Sequence, residues 1–185
     1  MTVAAPPSTV QPTPNFRPIR LETLVWLRWL AVGGQIVAVL FVEFVLGYPT
    51  PLAPCLALIG LSVVMNLFFI FRYGAGDRLR PEVAAFQLAY DCLQLGALLA
   101  LTGGLQNPFS LLLLAPISVS ATTLPQRATV YLVILVAVIA SILSVWHMPL
   151  PWKPGTRLVF DRLYVVGIWV ALLCGMVFIA TYINR

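Results

Sequence analysis

ALLALTGGLQNPFSLLLLAP, residues 97–116, carries no charged residue, and its two apolar halves are parted by a short turn rich in Gly, Asn and Pro. Gly103 and Gly104 can take the left-handed conformation that closes a helix, and Asn107 followed by Pro108 suits the N-cap and first residue of the next one. The stretch therefore reads as a tight hairpin of two apolar helices. The rest of the chain says where such a hairpin can exist. Of 185 residues, 61% are hydrophobic and 9% charged, with a mean hydropathy of +0.96, against roughly 25% charged residues in soluble domains. A helical span takes about 20 apolar residues, and backbone groups in lipid must bond to one another, so the expected fold class is all-α, an integral membrane bundle.

Working outward from the turn, six runs are long and apolar enough to span: Leu24–Leu46, Leu52–Phe71, Val83–Leu101, Phe109–Leu124, Ala128–Trp146 and Phe160–Ile183. Gly47, Pro49, Pro51 and Pro54 end the first. Gly74, Gly76 and Pro81 mark the second loop, Pro125 ends the fourth run, and Pro149, Pro151, Pro154 and Gly155 fill the fifth loop. Pro116 is expected to kink the short fourth span, with Ser118, Ser120 or neighbouring helices meeting the freed backbone groups. Residues 1–22, rich in Pro, Ser and Thr at their start, lack the apolar core of a signal peptide and read as a disordered cytoplasmic tail before a membrane domain over 23–185. Cys55, Cys92 and Cys174 fall inside apolar runs without metal-ligand spacing, so no metal site is expected and the thiols read as buried and inert.

Basic residues set the expected orientation. With the N-terminus inside, Arg17, Arg20, Arg28, Arg72, Arg78, Arg80, Arg127 and Arg185 collect on the cytoplasmic side, and Lys153, Arg157 and Arg162 lie outside. Both termini are then cytoplasmic and the Gly103–Phe109 turn faces the outer surface. The net charge of +5 suits anionic lipid headgroups and calls for no nucleic acid. Trp26, Trp29, Trp146 and Trp152 flank span ends as interfacial anchors.

The turn allows a second reading beside the structural one. A helix starting at Pro108 aims unpaired N–H groups and its positive dipole end at the membrane surface, where they suit a carbonyl oxygen. Phe109 adds an aromatic face, and Gln106 or Asn107 an amide, so a flat apolar molecule with edge carbonyls, such as a quinone, is a fitting guest.

GGLQNPF matches the GGxxNPF heptapeptide at all five fixed positions, Gly103, Gly104, Asn107, Pro108 and Phe109, and RWLAVGGQ, Arg28–Gln35, resembles the first span of the same family. On these motifs the chain is similar to the RegB/PrrB/ActS family of redox-responsive sensor histidine kinases, from about residue 20 to the end. The resemblance implies a transmembrane input domain in the bacterial inner membrane. It places the heptapeptide between the third and fourth spans, where it senses the ubiquinone pool, the oxidised quinone lowering autophosphorylation. It also implies a kinase part beyond this chain, through which homodimerisation and a response regulator would act. His147, the sole histidine, lies at the outer end of a span and is not expected to accept phosphate. The family's redox cysteine is not carried onto Cys174. The quinone-binding set expected is Gly103, Gly104, Gln106, Asn107, Pro108 and Phe109, with Glu43.

Polar residues within spans cost free energy and so raise functional questions. Gln87, Asp91 and Gln94 share one face of the third run and are expected to face the bundle interior, as a signal-transmitting network or as interhelical glue with Asn66. Glu43, at the depth of the turn, could exchange a proton with a quinol or simply reach the interface. Arg28 is expected to extend to anionic lipid. His147 could meet a quinone or remain solvated beside Trp146. Gly167, Ala171 and Gly175 form a small-residue stripe for packing inside the bundle or between two copies. The rival function is a small transporter or channel with a polar path through Asn66, Gln87 and Asp91, although no inverted repeat supports it. An intramembrane enzyme lacks its parts: no GxSG motif and no paired histidines occur.

Overall fold

In the computed structural model, which describes residues 21–72, 80–153 and 160–182, every regular element is a helix. Helix α1 covers Leu21–Leu40 and runs on through a π-helical turn, Phe41–Val45. It is followed by α2 (Leu52–Arg72) and α3 (Pro81–Leu101). Two 3-10 segments, Gly104–Gln106 and Pro108–Leu113, lead into α4 (Leu114–Thr123), and α5 (Gln126–Val145) and α6 (Arg162–Tyr182) complete the bundle. The element boundaries follow the breakers: Pro81 opens α3 as its first residue, Pro125 immediately precedes α5, and Gly103 and Gly104, at φ 112° and 59°, close α3 in the left-handed region. The expected tail, 1–22, lies outside the described residues except for Leu21 and Glu22, which begin α1. The loop residues Gly74, Gly76, Pro154 and Gly155 also lie outside them.

Among the described residues, five helices are long and apolar enough to cross a membrane; the fourth apolar segment, Pro108–Thr123, is shorter. Its first half is 3-10 rather than α-helical, and Pro116 explains why the switch falls where it does. Proline has no N–H for an α-helical bond to Leu112, so an α-helix starting at Leu114 puts Pro116 in its first turn, where none is needed. The Leu112 carbonyl instead accepts from Leu114 N. Ser118 and Ser120, expected to serve the proline's orphan group, bond to the Leu114 and Ile117 carbonyls.

Helix α3 is the centre of the bundle. It packs against α5, α2 and α4, while α6 packs against α5 and α4. The main core joins Leu88, Cys92, Leu95 and Leu99 of α3 with Leu132, Val136 and Leu143 of α5, Ile117 of α4, and Leu172 and Met176 of α6. Close approach of α3 and α5 needs Gly96, where a Cβ would stand 2.7 Å from Ile139 Cγ2. Such packing matters because lipid removes the hydrophobic drive between helices. A smaller cluster, Val32, Cys55, Ile59 and Leu98, ties α1 and α2 to α3. Cys174, against the expectation of a buried thiol, is exposed on α6, because the helix turns only Val165, Leu172 and Met176 fully inward.

Candidate functional site

The turn is built by its own residues. Asn107 caps the segment after it, accepting from Phe109 N at 2.9 Å, and its Nδ2 donates to Thr102 O and Thr102 Oγ1, both at 2.9 Å. Ser110 N donates to Asn107 O. The N–H groups expected to await a carbonyl at this helix start are therefore taken at Phe109 and Ser110. The glycine pair has a second task beyond its φ values. The loop after α5 folds down on it: Met148 N donates to Ala100 O at 2.7 Å, Leu150 packs on Gly103, and a Cβ at Gly104 would stand 2.7 Å from both the His147 ring and Leu143 O. His147 is thus half-buried against the turn, with Nδ1 at 2.8 Å from Met148 O, rather than solvated beside Trp146.

Beside the turn lies a cavity of about 630 Å³, within the range of sites that hold small ligands. It exists because α1 is docked on α2, and α2 on α3, leaving a cleft between α1 and the wall made by α3 and α4. Asn107, Pro108 and Phe109 line one end, together with Thr102, Tyr48, Thr50 and Trp152; Gly103, Gly104, Gln106 and Glu43 do not reach its wall. Glu43 lies in the π-helical turn, where its carboxylate accepts from Thr50 N at 2.7 Å and from Thr50 Oγ1. It fastens the loop after α1. Tyr48 and Trp152, with ring centroids 5.1 Å apart, bring that loop and the one after α5 together over the cavity.

The other polar end was missed as a unit from sequence. Arg28 does not extend to lipid: it is 4% exposed and forms an ion pair with Asp91. Its Nη2 also donates to Gln87 O at 3.2 Å, and its Cζ lies 5.3 Å from the Tyr90 ring centroid. Both Arg28 and Asp91 line the cavity. Farther along, Gln35 and Gln94 exchange amide bonds at 3.0 and 3.3 Å. Asn66 points elsewhere, toward Val25 O at 3.5 Å. The signal available in the sequence was depth. Arg28 is seven residues into α1 and Asp91 ten into α3, two helices entering the membrane from one side, and opposite charges at similar depth pair rather than stay alone in lipid.

Two curated proteins named sensor histidine kinase RegB, both from Cereibacter sphaeroides, are similar to this chain, at 37% identity over 166 residues and 38% over 167, each covering 90% of it. This likeness over nine-tenths of the chain supports kinship with the RegB family. It spans about a third of those relatives, 36% of each. No family model matches the sequence, and no solved structure matches it. With five helices long and apolar enough to cross a membrane among the described residues, and this kinship, the chain reads as a multi-pass membrane protein that matches the N-terminal membrane region of a RegB-type sensor kinase.

Proposed function

We propose that this domain is the redox-sensing input of a two-component histidine kinase in the bacterial inner membrane, and that it binds a quinone in the cavity between α1 and α3–α4. The observation that carries the reading is the cavity itself: a largely apolar cleft whose wall includes Asn107, Pro108 and Phe109 of the heptapeptide, with charged and amide groups deeper in. Phe109, 45% exposed, offers its ring without any role in the core. Both termini are cytoplasmic in this reading, and the kinase activity, homodimerisation and response regulator belong to the longer protein.

A route for the signal runs through α4 and α6. Leu112, Ala115, Pro116 and Val119 line the cavity, and Leu114 on the same segment packs where a Cβ on Gly175 of α6 would stand, at 3.4 Å. A ligand that moves α4 moves α6. It shifts that equilibrium only by its unequal affinity for the two packings, so oxidised and reduced quinone must differ in which packing each favours.

The test is binding of a short-chain ubiquinone to the purified domain, read by quenching of its tryptophans, of which Trp152 lines the cavity. The parent binds saturably, and Phe109→Ala, folded by circular dichroism, binds more weakly by about tenfold, the worth of one aromatic contact. Equal binding by parent and variant, or none by either, contradicts the assignment.

A further inference from the structure

Arg28 carries more donors than its ion pair uses. A guanidinium has five N–H groups in one plane, and here Nη2 alone serves Asp91 and Gln87 O, while the buried Nε and Nη1 have no hydrogen-bond partner among the described residues. Two acceptors close by are in the same condition. Gln87 Oε1 belongs to the residue whose carbonyl lies 3.2 Å from Arg28 Nη2, and Asn66 Oδ1 to the amide that donates to Val25 O, one turn before Arg28 on α1. Both oxygens are buried and unpartnered among the described residues. Each such group costs free energy in a membrane interior. Together they are complementary: charged donors from α1, amide oxygens from α2 and α3. Arg28 also has no rival partner. Of the helices packed on α3, α4 carries no titratable side chain, α2 only Cys55 and the terminal Arg72, and α5 only Arg127 in its first turn and the exposed Tyr131. On α1, Glu43 is held by Thr50, and on α3 the neighbours of Asp91 are Tyr90 and Cys92.

We propose that Arg28 has two seats in the bundle and switches between them. In the first, the observed one, Nη2 pairs with Asp91 and straps α1 to the cavity side of α3. In the second, Nε and Nη1 donate to Gln87 Oε1 and Asn66 Oδ1, the guanidinium lies wholly among α1, α2 and α3, and Asp91 is released. The Tyr90 ring, 5.3 Å from Cζ, faces the guanidinium and serves as the pivot. The charge on Asp91 selects the seat. A carboxylate is a stronger partner than a neutral oxygen; neutralised, it loses that advantage over two amide oxygens. Asp91 and Gln87 stand one turn apart, so the switch moves the strap by about 6 Å toward the start of α3, at 1.5 Å per residue. Bistable contacts of this kind turn a local change into a helix displacement. The device needs no ligand in the cleft and is independent of the quinone reading.

The test is a double-mutant cycle on the full chain, read as the equilibrium constant of unfolding in a detergent titration. Gln87→Leu alone leaves that constant within about threefold of the parent, because it removes an acceptor with no partner. Asp91→Asn alone raises it by about tenfold or less, since Arg28 takes its second seat. In the Gln87→Leu background the same change raises it by about a hundredfold or more, the effect of stranding a buried charge. An equal effect of Asp91→Asn in both backgrounds overturns the proposal, as does a loss from Gln87→Leu as large as that from Asp91→Asn, or failure of Asp91→Asn alone to fold. Solid-state NMR of the labelled chain in lipid bilayers reads the seat without the doubly substituted chain. The Arg28 side-chain nitrogens correlate with the Asp91 carboxyl carbon in the parent, and with the Gln87 and Asn66 amide carbons in Asp91→Asn. A correlation that stays at position 91 in that variant contradicts the switch.

Discussion

Arg28 shows how one side chain can hold a membrane bundle together and also leave it poised. Removing it strands Asp91 in the bundle, so Arg28→Ala should cost about 3–5 kcal/mol, as for breaking a buried ion pair, read as earlier unfolding in a detergent titration. Replacing both partners, Arg28→Gln with Asp91→Asn, should cost far less; equal losses would show that the ion pair contributes nothing beyond its shape. At the turn, Gly104→Ala places a Cβ at φ 59° and against His147 and Leu143 O. It should destabilise by more than about 1 kcal/mol, and a neutral result would mean that the loop after α5 is not held there. The turn was legible because its chemistry is local: left-handed glycines, an Asn cap and a following Pro act within a few residues. Arg28 was misread because its partner is distant in sequence, and a lone arginine near a helix end has lipid as its default partner.

At the scale of elements, apolar runs and breakers located the helices to within a few residues, since each run needs only its own backbone bonds in lipid. What they did not convey was the form of the fourth segment. Its length suggested a kinked span, and only the coupling of Pro108, the Asn107 cap and Pro116 yields two 3-10 turns before α4. Contact between elements was likewise invisible: nothing in the third apolar run marks Gly96, yet it sets the α3–α5 distance. Gly96→Val should overpack that contact and destabilise the bundle by about 1–3 kcal/mol; an unchanged unfolding midpoint would contradict the close approach. On α6 the small-residue stripe divides. Gly175 meets Leu114, whereas a Cβ on Gly167 meets nothing within 4 Å, and Ala171 and Cys174 are exposed beside it. If α6 joins two copies, Cys174 should cross-link to its counterpart under mild oxidation while buried Cys55 and Cys92 do not. A monomer on a denaturing gel would rule out pairing through this face.

For the whole molecule, the fold supplies a packed block and a less buried wall. The block is α3, α5 and α6 with α4 against them; the wall is α1, held across the cleft by Arg28–Asp91 and Gln35–Gln94. Sequence reasoning placed a ligand at the Gly103–Phe109 turn, and the structure brings only Asn107, Pro108 and Phe109 of those residues to the cavity, adding a charged end that no local motif announced. The measurement that bears most directly on this arrangement is photolabelling of the chain by a quinone carrying a photoreactive group on its ring, followed by peptide mapping. Quinone binding in the cleft requires label on cavity-lining residues, such as Ala31 of α1, Leu95 of α3 or Thr102, Asn107 and Phe109 at the turn, competed away by unlabelled quinone. Label confined to the outer face of α5, around Ile134 and Val138, or label that unlabelled quinone does not displace, would contradict it.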